Sequence, residues 1–85
     1  GIFLHEAPQM VIDIGDSIAA GDARRLEQTS HKLKGSVSMF ESDGAVSALQ
    51  ALETMGNKGD LIRAADVFHT LEDNMRLVKQ SLAAL

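Results

Sequence analysis

The stretch Asp22–Phe40, DARRLEQTSHKLKGSVSMF, decides the fold. Leu26, Leu33, Val37 and Phe40 recur at steps of three, four and seven, the period of a helix with one buried stripe. Asp22 stands where an N-cap belongs, so the pattern predicts a helix from that cap to about Phe40. At about 100° per residue Ser30 falls within the stripe, whereas His31 lies about 140° from Leu26 and faces water. The same outward arc carries Arg24, Glu27, Gln28, Lys34, Gly35 and Ser38, with Gly35 one turn beyond His31. A glycine inside a helix costs about 1 kcal/mol relative to alanine, and packing does not explain one on an exposed face. Gly35 does leave bare surface beside an imidazole, where another molecule can come close. Lys34 adds a positive charge one turn away, suited to an anion delivered there.

The same period, interrupted by turn residues, runs through the rest of the chain. A first helix is expected roughly from Ile2 to Ala20 on Leu4, Val11, Ile14 and Ile18, kinked or restarted at Pro8 and ended by Gly21-Asp22. Ser42-Asp43-Gly44 breaks the pattern, and a third helix from about Ala45 carries Val46, Leu49, Leu52 and Met55 to Gly56, read as its C′ glycine. Asn57-Lys58-Gly59 is the turn. Asp60 is then expected to cap a last helix whose Leu61, Ala64, Phe68, Leu71, Met75, Val78, Leu82 and Leu85 form one apolar seam. Connections this short fold each helix back on the one before. The expected fold is all-α, an antiparallel up-down-up-down four-helix bundle, as a single domain over residues 1–85.

Composition sets the outer limits on function. Eighty-five residues with 45% hydrophobic content supply one modest core. There is no cysteine, so disulfides, thiolate metal sites and cysteine nucleophiles are excluded. His5, His31 and His69 lack the spacing of a di-metal bundle, and no metal site is expected. A net charge of −4 argues against nucleic acid as a partner. Within residues 22–40, however, four basic side chains stand against two acidic ones. No apolar run is long enough for a bilayer and no secretory leader is apparent, so the sequence reads as soluble, without membrane contact. Opening on Gly1 rather than methionine, it is expected to be part of a longer chain. It has no nucleotide-binding glycine motif and cannot be a kinase by itself.

The spacing His31-x-x-Lys34-Gly35-Ser36 resembles the phosphorylation motif of histidine-containing phosphotransfer (HPt) domains, the carrier modules of multistep two-component phosphorelays. Phe40, Ala45-Val46, Leu49, Leu52 and Glu53 look like the family's continuation into its third helix. About three quarters of the chain, from Gly21-Asp22 onward, follows the family outline, and Pro8 with its apolar neighbours fits the preceding helix. The sequence departs at Met39, where a small or polar residue is common, and at Glu41, where glycine is. A short extra N-terminal helix found in some members is absent.

The resemblance implies that His31 is the phosphoacceptor through Nε2, that Lys34 stabilises the phosphoryl group and that Gly35 keeps the approach clear. Its partners would be response-regulator receiver domains, which supply the aspartyl phosphate and the Mg²⁺, so no cofactor is expected in this domain. Arg24, Glu27, Gln28 and Ser38 become docking positions by geometry. Glu27, at i−4 from His31, is a candidate to orient the imidazole, with an ordinary surface pair the equal alternative. The Lys-Gly-Ser form and the short third turn lean towards the C-terminal HPt module of a hybrid sensor kinase, placed in the cytoplasm. The alternatives are the phosphoacceptor domain of a chemotaxis-type kinase and a docking-only bundle with an incidental histidine.

Overall fold

Two glycines in the left-handed region, Gly21 (φ 69°) and Gly59 (φ 71°), close two of the helices. The computed structural model describes residues 2–38 and 43–83, and side chains within 8–38 and 43–76. Its helices are α1 (Ile2–Ala20), α2 (Ala23–Val37), α3 (Asp43–Lys58) and α4 (Ala64–Ala83), with no strand among the described residues. Each helix packs on its neighbours in the chain and α4 closes on α1, which makes the four-helix bundle. Phe40, Met39 and Glu41 lie outside the described residues, as does Leu85. The side chains of Leu4, His5, Val78 and Leu82 do too.

Local chemistry sets the helix ends. After α1, Gly21 N–H donates to Ile18 O (3.1 Å) and Asp22 N–H to Ser17 O (2.8 Å). This paired closure needs a residue at positive φ, which glycine adopts without a Cβ clash. Asp22 then caps α2, its Oδ1 accepting from Arg25 N–H at 3.1 Å. The end of α3 repeats the arrangement one helix pair later, with Gly59 N–H on Gly56 O (3.2 Å) and Asp60 N–H on Met55 O (3.0 Å).

Three expectations are corrected. α1 runs through Pro8 without interruption. Near the start of a 19-residue helix, the proline leaves one carbonyl unpaired, a local loss that the remaining ladder tolerates. Gly56 is not the C′ residue; it is buried inside α3, and Gly59 takes that place. Asp60 does not cap α4 directly. Its Oδ1 accepts from Ile62 N–H (3.3 Å), forming a turn that delays the helix to Ala64.

The core joins Met10 and Ile14 of α1 with Leu26, Leu33 and Val37 of α2, Ala45, Ala48, Leu49 and Leu52 of α3, and Ala64 and Leu71 of α4. Val11, Ile18, Val46, Met55, Leu61, Phe68 and Met75 cover its edges, half-buried. Gly15 makes room for the Phe68 ring, since a Cβ there would come 3.0 Å from Phe68 Cζ. Ser30 lies fully buried among the α2 stripe residues, its hydroxyl without a hydrogen-bond partner among the described residues.

The contact that matters most for function is between α2 and α3. A Cβ on Gly56 would lie 2.6 Å from Ala23 O and from Glu27 N, and 2.9 Å from Glu27 Cα. The two backbones therefore touch at this point, and the touch fixes how α3 is placed along α2.

Candidate functional site

From that contact three polar rungs climb the α2–α3 seam. The Asn57 amide donates to Glu27 Oε2 at 2.7 Å. His31 Nδ1 lies 3.0 Å from Glu53 Oε2. Lys34 Nζ donates to Gln50 Oε1 at 2.7 Å. Residue numbers rise along α2 as they fall along α3, and each pair has the same sum, as antiparallel register requires.

Glu53 belongs to two of these rungs. Besides His31, its second oxygen, Oε1, lies 2.7 Å from Lys34 Nζ. That oxygen is shielded from water and forms an ion pair with the ammonium, which also donates to Gln50 at the same distance. The Lys34 ammonium holds the Glu53 carboxyl below its ordinary 4.5; burial opposes that effect and His31 adds to it. An ionised carboxylate only accepts, so Nδ1 of His31 must carry the proton that points at it. In the neutral ring this leaves the Nε2 lone pair free, on a side chain that is 69% exposed.

Gly35 stands one turn further along α2, and outside its own helix backbone nothing among the described residues lies within 4 Å of where a Cβ would be. The imidazole thus has open space beside it, as the sequence pattern requires.

The other sequence-derived positions divide into two groups. Arg24, Gln28 and Ser38 are exposed, and Ser38 Oγ donates to Gly35 O (2.9 Å), tying down the end of the helix. Glu27 and Lys34 are only half-exposed and turn towards α3 rather than outward. Glu27 therefore does not orient His31: its carboxylate is engaged by Asn57, and Glu53 across the seam takes the role. Lys34 keeps its place one turn from His31, with 23% of its side chain exposed and its charge shared with Glu53. His69 stands apart, 80% exposed and 3.7 Å from Glu72 Oε1 on its own helix.

The Hpt domain family model matches residues 1–84, nearly the whole chain. The chain belongs to the Hpt domain family. Hpt domains are histidine phosphotransfer carriers of two-component phosphorelays and in general pass phosphoryl groups to receiver domains. No curated protein and no solved structure gave a match. No helix among the described residues of this Hpt domain is long and apolar enough to cross a membrane.

Sequence reasoning left Gln50 and Thr54 unassigned, gave Glu53 no role at the site, and read Asn57 and Lys58 as turn residues where they are the last two of α3. A signal was present. Gln50, Glu53, Thr54 and Asn57 form a polar line at helical spacing beside the buried Leu49, Leu52 and Gly56. Only the register of α3 against α2 shows which residues that line meets.

Proposed function

We propose that this Hpt domain carries a phosphoryl group on His31 Nε2, taken from the aspartyl phosphate of one receiver domain and passed to the aspartate of another. The observation that carries the reading is the Glu53–His31 rung beside Gly35: a ring held by Nδ1, with Nε2 exposed and the surface next to it bare. In the forward step the Nε2 lone pair forms a bond to phosphorus while the bond from phosphorus to the aspartyl oxygen breaks. The receiver's carboxylate departs with that electron pair. Positive charge grows on the ring as the lone pair is given up, and the Glu53 carboxylate 3.0 Å from Nδ1 stabilises it.

Phosphoryl transfer requires mainly positioning and charge neutralisation, so the chain needs little more than a well-held nucleophile. The receiver would bring the Mg²⁺ along with its aspartate. Lys34 faces the phosphoryl oxygens as a nearby positive charge, and Gly35 lets the receiver close in. Arg24, Gln28 and Ser38 form the exposed contact surface around them, with Glu27 at its rim, on the segment whose local charge excess suits an acidic receiver pocket. The Lys-Gly-Ser form of the motif favours the C-terminal module of a cytoplasmic hybrid sensor kinase over the phosphoacceptor domain of a chemotaxis-type kinase.

The test is incubation with a receiver phosphorylated on aspartate, followed by mapping of acid-labile phosphate on this chain. His31→Gln is expected to fold as the wild type does, because the side chain lies outside the core, and to accept no label. Labelling of that variant to the wild-type extent would transfer the role to another residue.

A further inference from the structure

The polar line on α3 continues beyond the residue that touches His31, and its hydrogen bonds have a direction. Thr54 Oγ–H donates to the main-chain oxygen of Gln50 at 3.0 Å, which uses the only proton of the hydroxyl. Towards the Gln50 side chain the same oxygen can only accept, and it does so from Nε2 at 3.3 Å. The amide is thereby fixed with its NH₂ on Thr54 and Oε1 on Lys34 Nζ, 2.7 Å away. The reverse orientation would set an NH₂ group against an ammonium.

We propose that Gln50, with its amide oriented by Thr54, is a positioning residue for phosphotransfer that acts through Lys34. The proposal rests on His31 being the phosphoacceptor. Lys34 Nζ lies 2.7 Å from each of two acceptors, Gln50 Oε1 and Glu53 Oε1. Anchored by the amide, the ammonium stays at its own rung and leaves the other Glu53 oxygen to His31 Nδ1. Without the amide Glu53 is the one acceptor left to the ammonium, which then draws the carboxylate from the imidazole. His31 then exchanges between its two neutral tautomers, and a smaller fraction presents the Nε2 lone pair. Thr54 acts only by choosing which end of the amide Lys34 meets.

The experiment uses the full chain with Gln50→Leu, Thr54→Val, Thr54→Ser, Lys34→Met and the double variant Lys34→Met/Gln50→Leu. One arm needs no phosphate donor: nitrogen-15 NMR of the Lys34 ammonium and of the His31 ring. The ammonium signal is expected at one position in the wild type and in Thr54→Ser, and shifted in Gln50→Leu and Thr54→Val, where Glu53 alone holds it. In the latter two, the His31 nitrogens shift from the single Nδ1–H form towards the average of both tautomers.

The other arm is single-turnover transfer from a phosphorylated receiver. Gln50→Leu is expected to slow it roughly three- to tenfold, and the double variant to be no slower than Lys34→Met, because coupled residues do not act additively. Thr54→Ser restores what Thr54→Val loses. An unchanged Lys34 signal in Gln50→Leu, or a double variant slowed by the full product of the two single effects, overturns the proposal while the phosphocarrier reading stands. A wild-type chain that takes no phosphate overturns both.

Discussion

Alanine at Gly56 probes the contact on which the site is built. Its Cβ would fall 2.6 Å from two backbone atoms of α2, whereas ordinary contact begins at 3.4 Å. The helices must therefore separate by roughly 0.8 Å at that level, since neither backbone atom can rotate aside. Overpacking of this kind costs about 1–3 kcal/mol, and rigid neighbours place Gly56 towards the upper end. Alanine returns about 1 kcal/mol of helix propensity. The net loss is about 1–2 kcal/mol, a fall in Tm of roughly 5–15 °C for a domain of this size. Gly35→Ala is the control: the same exchange into open space is expected to gain up to about 1 kcal/mol. Thermal unfolding followed by circular dichroism reads both variants. Opening the seam also lengthens the 3.0 Å contact between His31 and Glu53, so the His31 ring nitrogens of Gly56→Ala should report a loosened partner. A Tm for Gly56→Ala at or above the wild-type value would refute the claim that α2 and α3 meet backbone to backbone there.

Two further outcomes follow from the charges at the site. Lys34→Arg should retain most of the transfer rate and Lys34→Met should lose about fivefold at low ionic strength, less at high salt, together with some stability as Glu53 loses its ion pair; equal low-salt rates for wild type and Lys34→Met would remove the lysine from the chemistry. The carboxyl of Glu53 titrates below its ordinary 4.5 in the folded chain, chiefly because of Lys34, so it contributes stability above that pH and loses the contribution as pH falls through the lowered value. The stability advantage of wild type over Glu53→Gln, from urea unfolding at about pH 7 and about pH 3, should therefore shrink on acidification; an advantage that grew would contradict the ion pair.

The α2 period alone was enough to identify the buried Leu26, Ser30, Leu33 and Val37, and to leave His31 and Gly35 facing out. That success has a simple cause: a helix turns by a fixed angle, so one sequence determines which of its faces is apolar. Partner choice has no such local rule. Glu27 is a plausible neighbour of His31 along α2, yet Asn57 engages it, because the approach at Gly56 brings that part of α3 alongside. Two glycines three residues apart offered two ends for α3, and only packing distinguishes Gly56, which must be small, from Gly59, which must be left-handed. Asp60 misled for a related reason: a cap and a turn use the same side-chain oxygen, and the choice belongs to the residues that follow.

Because the register of the seam is set where two backbones meet, the lineage of this domain is constrained unequally along its length. A single residue gained or lost between Gln50 and Gly56 is not compatible with an intact site, since it turns one part of the line by about 100° relative to the other and parts Glu53 from His31, Gln50 from Lys34, or both. Among descendants of this sequence that still carry phosphate, gaps should therefore be missing from 50–56.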